Sequence, residues 1–398
     1  MLEKIKAAAK KYEGEIIETR RHFHKNPETS WNEVETTGYI AEELKKLGCG
    51  NVKVGFGGTQ SGVVADISGE KSEGKCVALR ADIDALPLND EKDVPYKSRK
   101  ENAMHACGHD AHASMLLGAA KVLTEIKPEL KGKVRLLFQP AEEHGIKPGA
   151  QALIDGGALE DVSAAFGIHV MSPVASGELH YRAGPFMAAA DAWELTLTGK
   201  GGHGSMPEGA IDPTVAAFQL GNALQAIVSR EVSPKDTAVV SIGGLRTSSY
   251  VFNIIPERVE MNGSVRTFRA QVQDCVEAAM GRIVEGVCSG TRCKPDFTYR
   301  RVLPATVNDA KITELVKSVA ESLLGADKVK EAPLNMGSED FSYYGRVVPC
   351  SFAFLGTGRA DKKTDAPHHS PKFDVDESVL FQGAALYAAF AWSYLEKE

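Results

Sequence analysis

Nine side chains able to bind metals or move protons fall into short groups along this chain: Asp82 with Asp84, Cys107 with His109, Glu142 with Glu143, His169, and His368 with His369. Singly, each has an ordinary explanation. Cys107 could be a buried thiol, His169 a hydrogen-bonded core imidazole, His105, His109 and His112 solvated histidines, and Glu142-Glu143 a charged strand end. Jointly they form a mixed sulfur, nitrogen and oxygen donor set. That mixture suits zinc or a similar borderline divalent ion better than magnesium or calcium, which prefer oxygen alone. Adjacent glutamates point in different directions, so one carboxylate can hold a metal while its neighbour takes a proton from a water. A divalent ion brings the pKa of such a water from about 15.7 towards about 7 and a second can polarise a carbonyl, so hydrolysis of an amide is the chemistry the set supports.

The elements that must position these groups can be read from the hydrophobic pattern. Short apolar strands are expected at 76–80, 134–138 and 162–170, with a small-residue helix at 111–126 between the first two and amphipathic helices at 5–22 and 33–47. Strand, helix, strand in that order predicts an α/β fold, with a mixed, mostly parallel sheet flanked by helices. Each candidate group then lies at or just beyond the C-terminal end of a strand, the edge where open α/β sheets bind ligands.

The middle of the chain has a different rhythm. A strand at 193–198, a helix at 213–230, strands at 238–242 and 258–266, a helix at 270–287 and a strand at 296–300 give β-α-β-β-α-β, the ferredoxin-like order. Breakers at Gly184-Pro185 and Leu303-Pro304 bracket it. An inserted domain is therefore expected at 187–302, within a discontinuous catalytic domain formed by 1–186 and 303–398. A strand at 351–355 and a helix at 377–394 close the chain.

Composition sets outer bounds. At 398 residues, with 43% hydrophobic and 25% charged, the chain is an ordinary globular protein long enough for two domains. Its net charge of −7 is spread along the sequence, which argues against nucleic acid as a partner. No apolar run approaches the roughly 18 residues a membrane helix needs, and the N-terminus lacks an apolar signal core, so no membrane association and a cytoplasmic location are expected. The odd, scattered set of seven cysteines fits reduced thiols. Gly199-x-Gly201-x-x-Gly204 fits a dinucleotide fingerprint, but Pro207, Glu208 and Gly209 intervene before the next helix, so the context for a nucleotide-binding turn is missing.

Six strings carry a family resemblance: Arg21-His22-Phe23-His24-x-x-Pro27-Glu28, Arg80-Ala81-Asp82-Ile83-Asp84-Ala85-Leu86-Pro87, Met104-His105-Ala106-Cys107-Gly108-His109-Asp110, Phe138-Gln139-Pro140-Ala141-Glu142-Glu143, Gly199-Lys200-Gly201-Gly202-His203 and His369-x-Pro371. The chain resembles the M20 metallopeptidase family, and more narrowly its amidohydrolase branch of N-acyl-amino-acid deacylases, hippurate hydrolases and auxin-conjugate hydrolases. The resemblance implies a site of two divalent ions, zinc or manganese, cobalt or nickel, held by Cys107, His109, Glu143, His169 and His369. It implies Glu142 as general base, Asp82 as a carboxylate orienting a ligand, and His203 stabilising the oxyanion. Asn253 and Arg266 match positions near the substrate's free carboxylate. The implied partner is a small N-acyl amino acid or short peptide, cleaved to a carboxylate and a free amino acid, and the implied assembly is a homodimer or homotetramer with the inserted domain as lid and dimerisation element. A dipeptidase or carboxypeptidase of the same family is the alternative, followed by a cysteine amidohydrolase using Cys107 and by a binding protein without turnover.

Overall fold

The apolar runs around Val77, Leu136 and Phe166 are short, bounded by Gly or charged residues, and in the computed structural model, which describes residues 1–397, each is the buried centre of a strand. In chain order the strands used below are β1 (Gly50–Val54), β2 (Val63–Ser68), β3 (Ser72–Asp82), β4 (Lys131–Gln139), β5 (Val162–Ala175), β6 (Leu179–Tyr181), β7 (Ala189–Thr198), β8 (Ala238–Thr247), β9 (Arg258–Thr267), β10 (Lys294–Leu303), β11 (Val329–Glu331) and β12 (Cys350–Gly358). The helices are α1 (Leu2–Lys11), α2 (Glu13–Lys25), α3 (Val34–Lys46), α4 (His109–Glu125), α5 (Gly149–Asp155), α6 (Pro213–Arg230), α7 (Ala270–Thr291), α8 (Ala310–Leu324) and α9 (Leu380–Glu396).

The chain forms two compact units, the first made of Met1–Gly184, Val307–Pro333 and Asp340–Glu398. Its eight-stranded sheet runs β1-β2-β4-β3-β5-β12-β6-β11. The four central strands β4, β3, β5 and β12 are parallel, and antiparallel pairs at β1–β2, β2–β4 and β12–β6 make the sheet mixed. Helices cover it. The small residues of α4 and α9 allow their backbones to approach closely: a Cβ on Gly383 would lie 2.0 Å from Met115 Sδ. Ala113, Leu116, Ala120, Ala384 and Ala388 join Val77, Leu79 and Phe166 in one core.

Several expected strands run longer than their apolar centres, among them Ser72–Asp82 and Ala238–Thr247, and two differences bear on the first unit. The helix read over 5–22 is broken at Tyr12 (φ −90°, ψ 4°), where Gly14 weakens continuation, so that Ile5 and Ala9 of α1 and Ile16 and Phe23 of α2 are buried from separate axes. Likewise β5 does not end near His169 but continues to Ala175, because β12 pairs with it as far as Gly358.

The second unit comprises Pro185–Thr306 and Leu334–Glu339. Its four strands, ordered β8-β9-β7-β10, pair antiparallel throughout. Leu220, Leu224 and Ile227 of α6 and Val276, Met280 and Val284 of α7 share a core with Trp193, Leu195, Val259 and Val265. Asp212 caps α6 by accepting from Thr214 N at 2.8 Å, and Pro213 occupies the first helical position, where no N–H is needed. Among the described residues no helix is long and apolar enough to cross a membrane.

Candidate metal centre

Parallel register brings the first candidates level with one another. Asp82 pairs with Gln139 across β3 and β4, and β3 last pairs with β5 at Arg80–Gly167, two residues short of Asp82 and His169. The chain then leaves β4 through Ala141, held at φ 51°, into a single turn, Glu142–His144. Two buried acids pin that turn. Asp84 accepts from the backbone N–H groups of both Glu142 and Glu143 at 3.1 Å, and Glu33 accepts from Ala141 N at 2.8 Å. Burial, reinforced by the charge of Asp84, pushes Glu33 up to about 7.

His109 opens α4 behind Gly108, whose φ of 90° puts a hypothetical Cβ 2.3 Å from Val170 Cγ2, so only glycine fits there. The imidazole donates from Nδ1 to Asp84 Oδ1 at 3.1 Å, leaving Nε2 buried without a hydrogen-bond partner. A carboxylate behind a histidine with its other nitrogen facing a cage of ligands is how proteins orient imidazoles towards metals. Burial opposes a charged ring, but the charge of Asp82 and the hydrogen bond and charge of Asp84 overcome it and push His109 up to about 10. The cage thus favours positive charge at this atom, which a divalent cation supplies as well as a proton does.

The other ligand candidates converge on the same place. His169 donates from Nδ1 to Val170 O at 2.5 Å and turns Nε2 towards Cys107 Sγ at 3.5 Å. His369 Nε2 lies 3.3 Å from Glu143 Oε1, and the His369 amide donates to Ala106 O at 2.9 Å, which ties the C-terminal segment to the Cys107 loop. His369 has φ 62°, an unusual backbone state for a histidine. Ligand atoms of Cys107, His109 and His169 lie within 4.8 Å of one another, as do those of Cys107, Glu143 and His369, and those of His109, Glu142 and Glu143. The donor set and the unpartnered His109 Nε2 fit a divalent metal.

Asp82 takes a different partner from the one closest in sequence. It accepts from His112 Nδ1 at 2.5 Å and Arg80 Nη1 at 2.7 Å, while His109 Nε2 is 3.8 Å away. His112, offered by the sequence as a solvated helix residue, is fully buried, and burial among neighbouring histidines lowers it to about 3. Its i+3 spacing from His109 was the readable signal. Asp340 gave no such signal. Its carboxylate accepts from Arg80 Nη2 at 2.8 Å and Gln139 Nε2 at 2.8 Å, and its amide donates to Glu142 Oε1 at 3.4 Å.

A second buried cluster adjoins the first. Arg20 donates to Asp110 at 2.8 Å, Asp374 at 2.7 Å and Glu377 at 3.2 Å, and His24 donates from Nδ1 to Asp110 at 2.6 Å. Burial works against these charges, yet Arg20 and His24 hold Asp110 well below the usual carboxylate range.

The remaining candidates lie in the second unit. His203 is exposed beside Asn253 on a two-strand ladder, Gly202–His203 against Ile254–Ile255, and Gly204 N donates to Asn253 O at 2.8 Å. Ser205 N donates to His203 Nδ1 at 3.2 Å, so a neutral ring presents Nε2–H outward. Arg266 is half-buried on β9, and burial lowers its pKa despite the charge of Asp191. All seven cysteines are reduced thiols.

Comparison with known proteins supplies context for this geometry. Residues 78–393 match the family described as Peptidase family M20/M25/M40. The chain is 41% identical to thermostable carboxypeptidase 2 of Saccharolobus solfataricus, with 100% of both chains covered. It is 40% identical to the N-acetyl-L-cysteine deacetylase of Bacillus subtilis, covering 94% of this chain and 86% of that protein. Among solved structures, the Bacillus subtilis YXEP protein, titled a dinuclear metal binding peptidase, superposes with a TM-score of 0.85 at 33% identity, covering 98% of this chain and 100% of that one.

Proposed function

The chain belongs to peptidase family M20/M25/M40 and is a metal-dependent hydrolase of amide or peptide bonds, and on that premise we propose that it cleaves N-acyl amino acids to a carboxylate and a free amino acid. The observation that carries the reading is the overlap of the ligand groups at Cys107, His109 and Glu143, with Glu142 beside them on a turn pinned by Asp84. Two cations fit two overlapping groups: one among Cys107, His109 and His169, the other among Cys107, Glu143 and His369. We assign them to zinc, manganese, cobalt or nickel. When bound, such ions supply the Lewis acidity that acidifies the attacking water and polarises the acyl carbonyl.

Glu142 takes the proton from that water and returns it to the leaving amine. His203, through its outward Nε2–H, stabilises the developing oxyanion, and Asn253 and Arg266 receive the substrate carboxylate, for which a guanidinium is the matching shape. Asp84 aims His109 and holds both glutamates, while Asp82 fixes His112 and places its carboxylate 3.8 Å from His109 Nε2. We read 1–186 with 303–398 as the catalytic domain and 187–302 as a ferredoxin-like lid. Dimerisation through that lid is supported by its edge strand β8, which exposes Val239, Ile242 and Leu245, and by Val215 and Phe218 exposed on α6. Seven reduced cysteines suit a reducing compartment, and we place the enzyme in the cytoplasm.

A second reading, release of a C-terminal residue from a peptide, is favoured by the carboxypeptidase relative. A Cys107 nucleophile is not favoured, because it leaves Glu142, Glu143 and His369 with nothing to do. The deciding experiment is a screen of N-acetyl and N-benzoyl amino acids against dipeptides and longer peptides, using metal-reconstituted protein. The N-acyl reading expects kcat/KM at least about tenfold higher for N-acyl amino acids, a preference within the reach of pocket contacts. The reverse order would make the enzyme a carboxypeptidase or dipeptidase, and activity that survives chelation but not alkylation would make it a thiol enzyme.

A further inference from the structure

The strand edge beneath the centre also fixes His368, which neither binds a cation nor moves a proton in the reaction above. β5 stops pairing with β3 at Gly167. Its alternate amides beyond that point go to side chains: Ile168 N to Tyr387 Oη at 2.9 Å, Val170 N to His112 Nε2 at 2.8 Å, and Ser172 N to His368 Nε2 at 3.3 Å. A backbone N–H can only donate, so the ring nitrogen it meets carries no proton, and the neutral imidazole bears its hydrogen on the other nitrogen. For His112 that hydrogen goes to Asp82. For His368 it is on Nδ1, which lies 3.7 Å from Cys107 Sγ, a hydrogen-bond distance for sulfur.

We propose that His368 is a positioning residue whose Nδ1–H donates to the Cys107 sulfur, orienting it and tuning the strength with which it donates to the cations. The proposal rests on the reading of Cys107 as a metal ligand. The ring has little freedom to do anything else. Its segment is held by Ser172 Oγ donating to Ala366 O at 2.7 Å and by the His369 amide on Ala106 O, and its faces meet His169 and Phe373 at centroid distances of 5.3 and 4.7 Å. A neutral donor fits this position, because it lowers the energy of the sulfur lone pairs without adding a positive charge that would repel the metals. His369, the adjacent residue, faces Glu143 instead, so two neighbouring histidines divide the work between orienting the thiolate and offering a ligand atom.

The test uses the cobalt-substituted protein. A near-ultraviolet sulfur-to-cobalt charge-transfer band is expected in the wild type and is expected to vanish in Cys107→Ser, which checks the ligand reading itself. In His368→Phe the band should move to longer wavelength, and metal affinity should weaken by about tenfold or more, the effect of losing an outer partner of a ligand. His368→Gln keeps an acceptor for Ser172 N and a donor for sulfur, and should hold both quantities near wild type. A band and an affinity that His368→Phe leaves in place would overturn the proposal. So would loss of one equivalent of metal in both His368 variants, which would make the residue a ligand. A wild-type protein with no sulfur band would overturn the ligand reading, and the proposal with it.

Discussion

Two buried clusters of acids, histidines and a few other polar groups lie next to each other in the first unit, meeting at the bond between His109 and Asp110, and they are built to opposite rules. Around Arg20 the charges answer one another: the guanidinium meets three carboxylates, and His24 donates to Asp110. Around His109 the hydrogen bonds stop short. Asp84 takes the Nδ1 hydrogen, and Nε2 is left near Cys107 and His169 without a hydrogen-bond partner, the Asp82 carboxylate standing 3.8 Å off. Burial and residue type do not separate a structural ion cluster from a metal cage; the direction in which the last lone pair points does.

The contrast can be broken most forcefully at Glu142. Replacing it with glutamine should lower turnover by about 10²- to 10⁴-fold, the usual share of a general base, with metal content unchanged by elemental analysis. A variant retaining near-normal rates would remove Glu142 from the chemistry. Next in size is Arg20→Met, which takes the buried guanidinium from three carboxylates and leaves them only the side chains of His24, Tyr96 and Arg21; it should cost about 3–5 kcal/mol in urea unfolding, while metal affinity measured by chelator competition changes little. Asp84→Asn should do the reverse, weakening metal affinity by about 10- to 100-fold through loss of the oriented imidazole. If Arg20→Met drains the metal as severely as Asp84→Asn, the two clusters are one. The smallest effect concerns Asp376, which lies beyond both. Burial opposes its charge, but hydrogen bonds from Lys362, Ser176 and Ser378 bring it down to about 2 from 3.8. A folded-state pKa lowered in this way stabilises the protein above the unfolded value, and that stability is lost as pH falls towards the folded one. The gap in urea midpoint between wild type and Asp376→Asn should therefore be constant above about pH 5 and narrow as pH falls below about 4.

Much of this was legible beforehand, for reasons that particular residues make plain. The central strands are runs of Val, Leu, Ala and Phe with sharp ends, so their existence and the clustering of Asp82, Glu142 and His169 near one sheet edge follow from periodicity and topology. What was not legible is how the acids divide their work. Asp82 and Asp84 are two residues apart in the same string, yet one faces His112 and Arg80 and the other faces His109 and the glutamate turn. Alternation along the chain says that they share a side, not whom they meet. Glu33 and Asp340 reach the centre across long sequence separations, and nothing local distinguishes them from surface acids. The break at Tyr12 was missed for the opposite reason, since a continuous amphipathic pattern hides a change of axis.

The amides of Ile168, Val170 and Ser172 also set a length scale. Alternate residues of a strand repeat every ~6.6 Å, a pitch set by covalent geometry rather than by side-chain packing. His112 and His368, each hung from one of these pegs, are spaced by a backbone ruler, and the sulfur and carboxylate they touch inherit its graduation. Loops around the centre can change in sequence while the tick marks beneath it stay where they are.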